Sequence, residues 1–268
     1  MKSRAGVRRP RETIKTAMKL RSPSFLLALG ILALTPVVRA AESGFKPIFN
    51  GKDLSGWEGR KQFWSVRDGA ITGQTRDEKD LPGNTFLVWQ GGEPANFELR
   101  LKFKLTGENE KKQANSGVQY RSRIIDPMTF VVGGYQADID TGRYIGMLYE
   151  ERGRGILMQP GQKIRIGAAG DVKSGKSKQG KQKASVETVS TVTTPEALAA
   201  AYTFGEWSEL RIVAQGNHVQ HFVNGKLTAD VTDNDPALAP KSGVLALQLH
   251  KGPPMTVQFK DIQLKTLP

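Results

Sequence analysis

The sequence predicts a single all-β sandwich, and three observations carry that reading. First, "NFELRLKFKL" alternates with a period of two: Phe97, Leu99, Leu101, Phe103 and Leu105 fall on one face and Glu98, Arg100, Lys102 and Lys104 on the other. Second, tight-turn dipeptides recur between such runs, at Asp68-Gly69 and Asn224-Gly225, which readily adopt the positive φ angles of a type I′ hairpin turn. Third, helix signals are nearly absent. Many strands at short spacing with few helices fold as two packed sheets.

The elements follow in chain order. Residues 1–40 read as a secretory signal rather than as fold: basic Lys15, Lys19 and Arg21 precede the apolar run "FLLALGILALTPVV", and "VRA" offers small residues at Val38 and Ala40 for cleavage. That run is interrupted by Gly30 and Pro36 and falls short of the roughly 20 apolar residues of a spanning helix. Residues 41–268 then read as one domain. "FWSVRDGAITGQ" is a hairpin around Asp68-Gly69, "NFELRLKFKL" a half-buried strand, and "NSGVQYRSR" and "GYQADID" two further strands. Residues 161–205 read as an inserted basic loop and short helix. The loop is rich in Gly, Ser, Lys and Gln; in "TTPEALAAAY", Thr193 or Thr194 can cap, Pro195 suits the first turn and Glu196 the positive end of the dipole. "ELRIVAQGNHVQHF" turns near Gly216-Asn217, and "HVQHFVNGKLTADV" around Asn224-Gly225.

Composition narrows the function. The formal charge of +13 is concentrated: residues 1–40 hold nine Lys/Arg and one Glu, and residues 161–185 hold seven Lys/Arg and one Asp, so the remainder is close to neutral. The basic run has no aromatic residue on which a base could stack, so no nucleic-acid partner is expected. With no cysteine there is neither a disulfide framework nor a lipidated anchor. The expectation is a periplasmic or secreted protein without a membrane anchor once the signal is removed.

Three strands carry the candidate chemistry. In "GYQADID", Gln136, Asp138 and Asp140 share one face of an extended chain. A solvated strand face would explain them alone. In "NSGVQYRSR", Asn115, Gly117, Gln119, Arg121 and Arg123 share a face, and in "LALQLH" Gln248 and His250 lie opposite Leu245, Leu247 and Leu249. Amides, carboxylates, a guanidinium and an imidazole together suit a sugar's hydroxyls. His221 reads as structural, His218 as exposed, and most of Trp57, Trp64, Trp89 and Trp207 as core. Tyr149, Glu150 and Glu151 rim a cleft or lie in a solvated loop. The three histidines form no zinc signature, and no metal or other cofactor is expected.

"FKPIFNGKDLSGWEG", "FWSVRDGAITGQ", "NFELRLKFKL", "NSGVQYRSR", "GYQADID", "GEWSELRIVAQGNHVQHFVNG" and "SGVLALQLHKGPPMTVQFKDIQLKTL" occur in an order that resembles the 3-keto-disaccharide hydrolase family over nearly all of residues 44–267. The resemblance implies a concanavalin A-like jelly roll, a carbohydrate-active enzyme acting on 3-keto-glycosides or 3-keto-disaccharides, and a glycoside substrate across the concave sheet. Matching positions are Asn115, Ser116, Gly117, Arg121, Gln136, Asp138, Gln248 and His250; Asp140 is added from strand phase. Retaining glucanases of this fold carry Glu-x-Asp-x-Glu, where this chain has Gln136-x-Asp138-x-Asp140. An amide cannot be the carboxylate nucleophile of a double displacement. A 3-keto group instead acidifies the C2 proton, so that elimination at C1 followed by hydration needs one base, one acid and an oxyanion stabiliser. On this reading Asp138 or His250 is the base, Asp140 or His250 assists the leaving oxygen, and Arg121 with Asn115 polarises the C3 carbonyl, while Gln136 and Gln248 bind substrate. The alternative is a non-catalytic, lectin-like glycan-binding module.

Overall fold

The alternation resolves into two sheets. The structure is a computed structural model and describes residues 44–167 and 185–268; the expected signal segment and the lysine-rich stretch 168–184 lie outside the described residues. In chain order the strands are β1 (Lys46–Pro47), β2 (Trp57–Glu58), β3 (Trp64–Arg67), β4 (Ala70–Thr75), β5 (Thr85–Trp89), β6 (Phe97–Gly107), β7 (Asn115–Asp126), β8 (Val131–Asp140), β9 (Leu148–Glu151), β10 (Gly155–Ile156), β11 (Gln162–Gly167), β12 (Ser185–Thr191), β13 (Ser208–Gln215), β14 (His218–Val223), β15 (Lys226–Asp233), β16 (Val244–Leu249) and β17 (Met255–Thr266), with helix α1 at Pro195–Ala201. One sheet runs β12-β11-β15-β14-β13-β6-β17-β4-β3, with β1 on β17; the other runs β10-β9-β8-β7-β16-β5-β2. The protein is a jelly-roll sandwich.

Local chemistry accounts for the elements. Asp68 and Gly69 both take positive φ (50° and 73°), as do Asn224 and Gly225 (46° and 78°), giving the I′ hairpins β3–β4 and β14–β15. The odd-numbered face of β6, Phe97 to Leu105, is buried throughout. Thr194 caps α1 by accepting from Ala197 N. The reading of residues 161–205 as a loop with a helix is corrected in part: β11 pairs in parallel with β15 and antiparallel with β12. Its alternating Ile164 and Ile166 are buried, and that apolar face outweighs the basic composition of the stretch.

The seven-stranded sheet positions the site. Val118, Tyr120, Tyr135, Ala137, Ile139, Leu247 and Leu249 face the ten-stranded sheet in the main core. The opposite face is polar at one end and apolar at the other, where Phe86, Val88, Val132, Val244 and Ala246 form a second cluster beneath Phe130. The tip of the β7–β8 hairpin folds back to β5, where Phe86 N donates to Phe130 O (3.0 Å) and Thr85 Oγ1 to Thr129 O (2.9 Å). The hairpin thus covers the apolar end and leaves the polar end as a cleft.

Candidate functional site

The register of β7 against β8 pairs Asn115 with Asp140, Gly117 with Asp138 and Gln119 with Gln136, and β16 lies along the other side of β7. Gly117 is needed for close approach: a Cβ there would lie 2.4 Å from Gln136 Cδ. Over that gap Gln136 Nε2 donates to Asp138 Oδ1 (2.7 Å), and Asn115 Nδ2 lies 3.4 Å from Asp138 Oδ2. From β9, Glu151 accepts from Asn84 Nδ2 and Gln248 Nε2, both at 3.3 Å.

The cleft has two lobes. One, of about 190 Å³, is lined by Asn84, Gln136, Asp138, Tyr149, Glu151 and Gln248 among others. The second, of about 290 Å³, includes Asp140, Thr141 and Lys251. Asn115, Tyr144 and His250 line both. Burial is the main cause that pushes the Asp138 carboxyl up to about 7; Asp140 and Glu151 add repulsion, while the Gln136 and Asn115 amides oppose the rise. Burial also raises Asp140 and lowers His250. A carboxyl that titrates near neutrality, held by amides at the floor of a polar cleft, can accept and return a proton. Among the described residues, no group of three or more His, Cys, Asp or Glu side chains is arranged to hold a metal ion.

The structure thus brings together Asn115, Gln136, Asp138, Asp140, Gln248 and His250, and it removes Arg121. The alternation that aligned Arg121 with Asn115 assumes an unbroken strand, but β7 is bulged between Tyr120 and Arg123, and Arg121 takes φ 47°. Its guanidinium is buried away from the cleft on the carbonyls of Ala95 (2.6 Å), Gly216 (2.7 Å) and Pro240 (3.3 Å). Asp140 has a second duty, because its Oδ1 accepts from Gly142 N (2.8 Å) and Tyr144 N (3.0 Å) and so ties down the loop that carries Tyr144.

Glu151 enters the cleft while Glu150 turns inward to Arg154, as period two dictates for neighbours on a strand. Asn84 and Tyr144 are not legible in the sequence, because each lies in a connection between strands, outside the alternation that marks a face. His221 is structural, as expected, with Nε2 2.7 Å from Tyr120 Oη and Nδ1 3.1 Å from Gly146 O; burial lowers it to about 4. His218, expected to be exposed, is half-exposed against Asp230 (2.9 Å). Trp57 and Trp64 are core.

A family model described as 3-keto-alpha-glucoside-1,2-lyase-like domain matches residues 44–265. Among solved structures, one from Parabacteroides distasonis ATCC 8503, provisionally described as a glycosyl hydrolase, is 19% identical with a TM-score of 0.50, over 84% of this chain and 94% of that one. A second from the same organism, with the same description, is 21% identical with a TM-score of 0.48 over 83% and 99%. The carbohydrate binding module CBM66 from Bacillus subtilis is 14% identical with a TM-score of 0.46 over 79% and 96%. At 19% identity the likeness to the first of these is one of fold alone. No curated protein matches the chain.

Proposed function

The chain belongs to the 3-keto-alpha-glucoside-1,2-lyase-like domain family, and from that premise we propose that it cleaves the glycosidic bond of 3-keto-glycosides, including 3-keto-disaccharides, by elimination and hydration. The observation that supports this most is Asp138, a buried carboxyl pushed up to about 7 on the floor of the smaller lobe. As carboxylate it takes the C2 proton, and the C–H electron pair forms an enolate with the C3 carbonyl. The enolate collapses to a C1=C2 double bond as the C1–O bond breaks. His250, which lines both lobes, protonates the departing oxygen. In the return half, His250 takes a proton from the water whose oxygen adds to C1, and Asp138 returns its proton to C2. With Arg121 absent from the cleft, oxyanion stabilisation falls to the neutral amides of Asn84, Asn115 and Gln248, which act by preorganised hydrogen bonding.

Incubation with a 3-keto-glucoside should release the aglycone, and Asp138→Asn should remain folded with turnover reduced by about 10²-fold or more. Asp261→Asn, at a surface carboxylate paired with Lys102 (2.9 Å), serves as control. Binding of the sugar without release would instead identify the lectin-like module. We also propose export with cleavage after Ala40. N-terminal sequencing of exported protein should begin near Ala41, and retention of Phe25 to Val38 would mean an anchor.

A further inference from the structure

Behind the cleft, four side chains form a line away from the reacting atoms. Ser122 Oγ lies 2.7 Å from Gln119 Oε1, Gln119 Nε2 lies 2.8 Å from Gln136 Oε1, and Gln136 Nε2 lies 2.7 Å from Asp138 Oδ1. All four residues are buried. The direction of every link follows from the carboxylate, which can only accept. Gln136 must turn its NH₂ to Asp138, so its carbonyl needs the NH₂ of Gln119, and the carbonyl of Gln119 is left to accept from the Ser122 hydroxyl.

The backbone is shaped to bring Ser122 there. On an unbroken strand residue 121, not 122, would share the face of Gly117 and Gln119. The bulge reverses the phase, so that Ser122 lies opposite Val244 where Gln119 lies opposite Ala246. Two glycines clear the space: a Cβ at Gly134 would lie 2.6 Å from Ser122 Oγ, and one at Gly243 2.3 Å from Ser122 O. The buried guanidinium of Arg121, bound to carbonyls from three other segments, pins the bulge.

We propose that Ser122 and Gln119 are positioning residues that act through Gln136 to hold the Asp138 carboxylate ready as proton acceptor, without touching substrate. This rests on the reading of Asp138 as the base. The Gln136 bond favours the charged carboxyl, against burial and the repulsion of Asp140 on the same strand and Glu151 from β9. Tyr149 from β9, Tyr144 from the following loop of β8 and His250 after β16 are the other ionisable groups facing the lobe. Once the relay is cut, Gln136 is free to turn its carbonyl to Asp138, which suits the protonated acid.

The test uses Gln119→Met and Ser122→Ala in the full chain. Carbon-13 NMR of aspartate-labelled protein follows the Asp138 carboxyl, identified by its loss in Asp138→Asn, and kcat/KM on a 3-keto-glucoside is measured against pH. Gln119→Met should raise the NMR midpoint and the acid limb of the rate profile together, by about one pH unit, and Ser122→Ala by less. A purely structural role would depress the rate at every pH and leave the limb in place, which overturns the proposal. An unmoved NMR midpoint overturns it whatever the activity. If the midpoint moves but the wild type releases no aglycone, the relay stands and the proposed reaction fails. Should Gln119→Met not fold, Ser122→Ala alone decides.

Discussion

A carboxylate buried as deeply as that of Asp138 forfeits hydration that two amide donors only partly replace, so the form required for chemistry is the form the fold tolerates least. Its folded value near 7 lies above the ordinary 3.8, so the folded state binds the proton more tightly than the unfolded chain. Its contribution to stability is therefore fully present below pH 4 and is lost as pH rises through 7. The gap between the two values corresponds to about 4 kcal/mol at most. Asp138→Asn should then melt above the wild type at pH 8 and close to it at pH 4, a difference that thermal unfolding at the two pH values measures. His250 gives a second prediction at this scale. If it protonates the leaving oxygen, His250→Gln should lose about 10²-fold on a 3-keto-glucoside with an alkyl leaving group and much less with a nitrophenolate, which departs without a proton.

Among the elements, β7 decides most. Its first half obeys the alternation that the sequence displays, so that Asn115 lines the cleft, Gly117 lies beneath Gln136 and Gln119 bonds Gln136 from behind, whereas its second half does not. Gly117 can be tested directly. Gly117→Ala drives a methyl against Gln136, so the amide must leave Asp138; turnover should fall about tenfold or more, with a loss of about 1–3 kcal/mol in denaturant unfolding. Arg121 separates a structural from a substrate role. Arg121→Met removes the hydrogen bonds that the buried guanidinium gives to the carbonyls of Ala95, Gly216 and Pro240 and should cost about 1–3 kcal/mol of stability. The folded fraction should keep its KM, because the guanidinium does not line the cleft; a large rise in KM with unchanged stability would restore the substrate-binding role. The inserted segment also reaches the site. Tyr202, at the C-cap of α1, donates from its hydroxyl to the Asp140 carbonyl (2.8 Å), so the helix read from "TTPEALAAAY" braces the end of β8.

On the scale of the molecule, two sheets share one core, and the outward face of the smaller sheet is divided between an apolar half under the β7–β8 tip and a polar half left open. Sequence alone determined the strands and their faces, because period-two burial and I′ turn dipeptides are local properties: β6, the hairpins at Asp68-Gly69 and Asn224-Gly225, a helix capped at Thr193 or Thr194 and the shared face of Gln136, Asp138 and Asp140 all follow from neighbours within a few residues. Ordered stretches such as "GYQADID" and "NSGVQYRSR" likewise carried the family. What tertiary structure decided is everything that depends on distant segments. Whether β7 runs straight or bulges is settled by Gly134, Gly243 and carbonyls from three other segments, so Arg121 leaves the site and Ser122 joins its support. Ile164 and Ile166 form a strand rather than a loop because β15 offers them an edge. Asn84, from a turn before β5, and Glu151, from β9, meet Gln248 only when the sheet assembles. The same holds for the acidity of Asp138, since desolvation comes from the whole surrounding fold and is written in no single stretch of chain.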